Sequence, residues 1–140
     1  MLDANLRRLS RLHRSVYRLT GGALGQRLVG NDMLLLTTRG ASTGKAHTVP
    51  LLYLRDNDTL VVIASWGGRP QHPDWYHNLM ADRRATVQVR SKSWPVRART
   101  AGPQERAAWW PRIVAAYEAY DTYQSRTDRV IPVVLLDPDR

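Results

Sequence analysis

Between Met33 and Thr100 the chain is cut into short apolar runs by closely spaced turn signals, and this spacing restricts the fold more than any other feature. MLLLTT from Met33, HTVPLLYL from His47, LVVIAS from Leu60, ATVQV from Ala85 and SWPVRART from Ser93 each have the length of a strand. The separators Gly40-Ala-Ser-Thr-Gly44, Asp56-Asn57-Asp58 and Ser91-Lys92 are too short for a crossover helix, so neighbouring strands should pair antiparallel. Ile131 to Leu136 supplies a closing strand. The expected class is mainly β with flanking helices, about six antiparallel strands closing a small barrel. Pro50 inside the return strand points to an edge or a bulge. The strand–helix alternation of a dinucleotide fold is missing, as is any G-x-G-x-x-G.

Helices are expected outside this block. Residues 1–30 form an arm, with an amphipathic helix over about residues 3–20 and a connector, while 31–140 form the barrel domain. Leu2, Leu6, Leu9, Leu12, Val16 and Leu19 recur on one helical face, and Arg7, Arg11, Arg14 and Arg18 fall on the other. Two readings fit: a helix packed on the domain with a solvated arginine face, or a helix lying on an anionic membrane surface. Asp74 opens a short helix to about Asp82. Pro103 and Glu105 open another, which Pro111 should kink or restart, and a third lies around Tyr123.

The net charge of +9 suggests nucleic acid until its distribution is read. The arm holds six arginines against one acid, a net +5, which leaves +4 for the other 110 residues. The globular part is only mildly basic, so no nucleic-acid partner is expected. With no cysteine, disulfides and thiol catalysis are excluded. That composition, with arginines where a signal peptide needs an apolar core, fits a cytoplasmic protein.

The candidate site is the stretch from Leu60 to Leu79, a strand that ends in Gly67-Gly68 and re-enters a helix at Asp74. Glycine lets a ligand approach the backbone, and a helix N-terminus favours negative charge, so this connection suits a phosphate or carboxylate. It is equally the form of an ordinary strand–loop–helix connection. Metal binding is disfavoured, because five residues place His72 and His77 on different sides of a helix. No G-x-S-x-G elbow surrounds Ser65, and carboxylates are few in this stretch. Without proton-transfer or nucleophile machinery, the chain is a binding module or an enzyme whose cofactor does the difficult chemistry. Trp66, Trp75 and Tyr76, with Tyr117, Tyr120 and Tyr123, combine apolar faces with polar tips that suit a planar, oxygenated ligand.

Three segments, LLLTTRGASTGKAHTVPLLYLRD, VVIASWGGRPQHPDWYHNL and YEAYDTYQSRTDRVIPVVLL, resemble the deazaflavin-dependent nitroreductase family. This is the actinobacterial group of coenzyme F420-dependent reductases that includes F420H2-dependent quinone reductases. The resemblance implies a split β-barrel of the flavin-binding type. It implies that Gly40, Ser42, Thr43, Gly44 and Lys45 hold the phosphate and tail of F420. Pro50, Ala64, Ser65, Trp66, Gly67 and Gly68 would line the deazaflavin and ribityl portion, with Trp75 and Asn78 completing the pocket. Ser65, Tyr117, Tyr120 and Tyr123 would shape the acceptor end as the catalytic set. The implied reaction carries hydride from F420H2 to a quinone or nitroaromatic acceptor. An FMN-binding oxidoreductase of the same barrel and a non-enzymatic F420 carrier are the alternatives. Members commonly carry Gly-Arg-Lys-Ser/Thr-Gly where this chain has Gly40-Ala-Ser-Thr-Gly44, and a basic residue where it has Trp66, which predicts a weaker grip on a polyglutamate tail.

Overall fold

The computed structural model describes residues 33–139; the arm expected over residues 1–30 lies outside them. Seven strands make one antiparallel sheet: β1 (Met33–Arg39), β2 (Ala46–Leu52), β3 (Leu54–Asp56), β4 (Thr59–Ile63), β5 (Arg84–Val89), β6 (Lys92–Thr100) and β7 (Val133–Pro138). Their order across the sheet is β2-β1-β5-β6-β7-β4-β3. Helices α1 (Asp74–Ala81), α2 (Pro103–Ala116) and α3 (Ala119–Ser125) complete the described fold.

The expected return strand divides at Tyr53, which accounts for seven strands where the spacing gives six. Its first half pairs with β1 and its second with β4, so one run of chain supplies both outer strands of the sheet. A sheet whose two edges are one residue apart in sequence must curl until those edges meet, and that curling is the barrel. Pro50 sits opposite Leu35 on the edge strand β2, where a missing N–H costs no ladder bond on the outer side.

The apolar pattern sorts the strands by how many faces are covered. Leu34, Leu36, Leu60, Val62, Val87, Val96, Ala98, Val134 and Leu136 point inward and form the barrel core with Trp75 and Leu79 of α1. On β4 and β7 the alternate residues Val61, Ile63, Val133 and Leu135 are buried as well, against Trp109, Ile113 and Tyr120 of α2 and α3. Both faces of these two strands are therefore dry, and their sequences read as unbroken apolar runs. On β6 only the inward face is buried, so Val96 and Ala98 alternate with exposed Arg97 and Arg99.

Two boundaries differ from the sequence reading. β7 begins at Val133, because the Ile131 N–H is taken by Gln124 Oε1 (3.0 Å) and Pro132 has no N–H to offer a ladder. Pro111 does not restart the helix: α2 runs continuously from Pro103 to Ala116. The carbonyl that Pro111 leaves without a donor belongs to Ala107, which is solvent-exposed and can be hydrated.

α3 sits directly on the loop that follows β4. Gly68, at φ +80°, makes this possible: a Cβ there would collide with the Tyr123 carbonyl oxygen and lie 3.0 Å from the Tyr123 Cα. Neighbouring Gly67, at φ +63°, faces open space, with nothing within 4 Å of the position a methyl group would take. Gly67→Ala should therefore cost only the left-handed backbone strain, about 1 kcal/mol. Gly68→Ala should cost more, about 2–4 kcal/mol, because backbone must move as well. Urea unfolding of both variants checks the difference; equal losses would mean that α3 does not depend on this close approach.

Candidate active site

The register places several predicted residues at one end of the barrel. The β1–β2 turn, the end of β4, the start of β5 and the start of β7 all lie there, since Thr37 pairs with Thr86, Arg84 with Arg97, Thr100 with Val134 and Ile63 with Val133. The opposite end carries an open groove of about 600 Å³ lined by Arg55, Arg90, Lys92, Trp94 and Asp139 among others, away from every predicted site residue.

The glycine turn is closed by Gly40 N–H to the Lys45 carbonyl (2.8 Å) and Gly44 N–H to the Gly40 carbonyl (2.9 Å). Ser42, Thr43, Gly44 and Lys45 are exposed on it. Asn78, on α1, fastens this turn. Its Oδ1 accepts from the Ala41 N–H (3.0 Å) and its Nδ2 donates to Thr38 Oγ1 (3.1 Å). With its amide engaged at both ends, Asn78 sets where the turn stands. Trp75, one helical turn earlier, is buried in the barrel core beside Ala64. α1 thus links the glycine turn to the end of β4.

Beyond Ala64 the backbone departs from ordinary strand geometry. Ser65 is αR, and Trp66, Gly67 and Gly68 have φ of +45°, +63° and +80°. Bonds from Gly68 N–H to the Ser65 carbonyl (3.0 Å) and from Arg69 N–H to the Trp66 carbonyl (3.2 Å) fix this turn. An αR residue followed by a left-handed one makes successive N–H groups converge into a concavity that holds anionic or carbonyl oxygens. Trp66 is bulky and not glycine, so its φ costs about 1–2 kcal/mol, the kind of strain concentrated at binding sites. The Arg69 guanidinium lies 4.7 Å over the Trp66 ring. A cation is thereby held beside Trp66.

The three tyrosines form a stack. Ring centroids of Tyr117 and Tyr120 are 6.0 Å apart and those of Tyr120 and Tyr123 are 5.9 Å apart, both edge-to-face. Tyr117 donates its hydroxyl to the Tyr53 carbonyl (3.2 Å), at the point where the sheet's edges meet. Tyr120 is buried, and burial first, then the neighbouring Tyr117 and Tyr123, push its phenol far above the ordinary value of 10.0. It stays protonated at any physiological pH and can donate a hydrogen bond but cannot act as a base.

Two residues that the sequence reading left without a role organise this end. Arg129 donates from Nε to the Arg69 carbonyl (2.8 Å), from Nη1 to the Ala64 carbonyl (3.1 Å) and from Nη2 to the Ser65 carbonyl (2.6 Å). Its Nη1 also lies 2.8 Å from Nδ1 of His72. Gln124 of α3 accepts from Arg106 Nη2 (2.8 Å) and donates to the Arg129 carbonyl (2.8 Å), tying α2 and α3 to the same loop. Arg129 lies within the TDR-x-IP motif, but Asp128 beside it in sequence suggests an ion pair rather than a set of carbonyl bonds.

The donor set fits a planar anionic cofactor. Gly44 and Gly67 face open space with left-handed backbone, Lys45 is exposed on the turn, and the Ser65–Gly68 concavity stands against the tyrosine stack through Gly68. Relatives agree. The family model for F420H(2)-dependent quinone reductases matches residues 9–138. An F420H(2)-dependent quinone reductase of Mycobacterium tuberculosis (strain ATCC 25618 / H37Rv) is 44% identical over 133 residues, 91% of this chain and 89% of that protein. The solved structure of an F420-H2 dependent reductase superposes with a TM-score of 0.70 at 41% identity, covering 76% of this chain and 94% of that one. A second, described as a domain-swapped dimer, has a TM-score of 0.72 at 35% identity and covers 98% of this chain and 100% of its own. The fold is the split β-barrel of these neighbours, and the chain belongs to the F420H(2)-dependent quinone reductase family.

Proposed function

We propose that this chain binds reduced coenzyme F420 at the glycine-turn end of the barrel and reduces a quinone there, with nitroaromatics as adventitious acceptors. The observation that carries the reading is the close approach of Gly68 to the Tyr123 backbone, which seats the strained Ser65–Gly68 turn against the helix that carries Tyr120 and Tyr123. F420, when bound, supplies the hydride. The chain's own part is positioning and electrostatics. The turn at Gly40, Ser42, Thr43, Gly44 and Lys45 holds the phosphate and tail. Pro50, Ala64, Ser65, Trp66, Gly67 and Gly68 hold the ring system, with Asn78 setting the turn and Trp75 setting α1. Ser65 and the tyrosines face the acceptor, and the Tyr120 hydroxyl donates a hydrogen bond to the negative charge that develops on the quinone oxygen. Titrating F420 by its fluorescence and then adding menadione to the reduced complex tests this. Saturable binding with reoxidation supports it, binding without reoxidation indicates a carrier, and binding of FMN instead replaces the cofactor.

Tyr120→Phe removes the hydroxyl and keeps the stacked ring, so kcat with menadione should fall about 10²-fold while F420 affinity holds. Unchanged kcat would take Tyr120 out of the reaction.

Residues 3–20 are proposed to rest on an anionic membrane and bring the site to a lipid-borne quinone; among the described residues no helix is long and apolar enough to cross a membrane. Deleting residues 1–20 should abolish binding to anionic liposomes and spare turnover of water-soluble menadione. Liposome binding that survives the deletion refutes the membrane role.

A further inference from the structure

Four acceptors converge on the guanidinium of Arg129. Three are carbonyls of the loop that leaves β4, and the fourth is Nδ1 of His72. Among the described residues no carboxylate pairs with it, and its partial burial holds its acidity above that of a free arginine. A guanidinium carries donors only. The 2.8 Å contact with His72 therefore needs an unprotonated Nδ1, with the ring proton on Nε2. A second proton on the imidazole would set an N–H against an N–H and two positive charges against each other.

The surroundings give that proton no compensation. His72 meets Tyr76 of α1 at 4.9 Å between ring centroids and His77 of the same helix at 5.8 Å. From its own loop comes Arg69, whose carbonyl shares the Arg129 guanidinium and whose side chain covers Trp66. None of these groups carries a negative charge at neutral pH.

We infer that Arg129 is a positioning residue that clamps the Ala64–Arg69 loop in its site geometry, and that neutral His72 is the proton-sensitive member of the clamp. Arg129 touches no reacting atom in this assignment. It acts through the Ser65 carbonyl, which lies in the peptide joining the αR–left-handed pair that forms the concavity, and a displacement there of about 1 Å is enough to misplace bound groups. The clamp closes on deprotonated His72 and loosens as pH falls. Desolvation, then Arg129, then His77 lower the imidazole below its ordinary value of 6.5, so the clamp is complete above 6.5 and fails only at lower pH. The unfolded chain takes up the same proton near 6.5, so folding stability also declines as pH falls below that value.

The inference rests on this end being the cofactor site, and the test separates the two. Hydrogen exchange of residues 64–69 in the cofactor-free protein, corrected for the intrinsic pH dependence of exchange, is followed from about pH 5 to 8 alongside turnover of F420H2 with menadione. The native chain should lose protection and kcat/KM together on the acid side, with a midpoint below 6.5. His72→Gln offers an amide oxygen to Arg129 and does not titrate, so both acid limbs should flatten. Arg129→Lys should lower protection at every pH and kcat/KM about tenfold, with Tm read in parallel. An acid limb that persists in His72→Gln, or full protection in Arg129→Lys, overturns the clamp. Exchange that follows the expectation in a protein without F420 turnover leaves the clamp standing and removes the cofactor reading instead.

Discussion

The fold depends on one covalent constraint: a single run of chain, from Ala46 to Asp56, forms both edges of the sheet. β2 can pair with β1 and β3 with β4 only if the sheet curls until its two outer strands come together at Tyr53. Closure in this form leaves neither edge far from cover, which removes the usual hazard of an exposed strand. It also fixes a reference point for the site. The Tyr117 hydroxyl bonds to the Tyr53 carbonyl, so the tyrosine row is registered to the seam rather than to the helix alone. A shift of α2 and α3 along the sheet would break that bond and withdraw Tyr123 from Gly68 together.

The site's second dependence is on a positive charge without a negative partner. Carbonyl oxygens carry only partial charge, so Arg129 gives up more hydration than its four neutral contacts return electrostatically, as the lowering of its pKa by burial indicates. The arrangement is sensible where structure and potential are both needed. Hydrogen bonds from a charged donor are worth about 1.5–3 kcal/mol each, enough to offset the left-handed φ of Trp66. The uncompensated charge left at Ser65 raises the local potential where an anionic cofactor or a developing oxyanion would lie. A salt bridge from an aspartate would hold the loop and cancel that field.

Much of this fold is legible in the residues, and each failure has a local cause. Turn spacing predicts the antiparallel strands, Asp74 and Pro103 mark their helices, and Pro50 marks an edge. The unbroken apolar runs at Leu60 and Val133 are explained only when α2 and α3 are laid over the outer face, which no periodicity within the strand reveals. The split at Tyr53 carries no turn residue, because the chain changes partners there without reversing. Pro111 is absorbed because the carbonyl it leaves without a donor belongs to solvent-exposed Ala107. In the site, Gly68, Ser65 and the tyrosines are visible as motifs. Arg129 and His72 are not, because their meaning lies in bonds spanning 57 to 65 positions of sequence.

The glycine turn between β1 and β2 can be weighed against this geometry. Gly40-Ala-Ser-Thr-Gly44 keeps the backbone bonds that close the turn and the Asn78 bridge that seats it, since both use main-chain groups at Gly40 and Ala41. Its side-chain charge is sparse: Lys45 is the one cation on the turn after Arg39. Backbone N–H groups recognise a phosphate by shape and direction, whereas a flexible tail of carboxylates is held chiefly by diffuse positive potential that salt screens. On the proposed placement the turn would meet the part of the cofactor that contributes least to placing the ring. If the ring lies against Ser65, Gly67 and Gly68 as proposed, the charge of the turn bears on affinity and its salt dependence more than on the reaction itself.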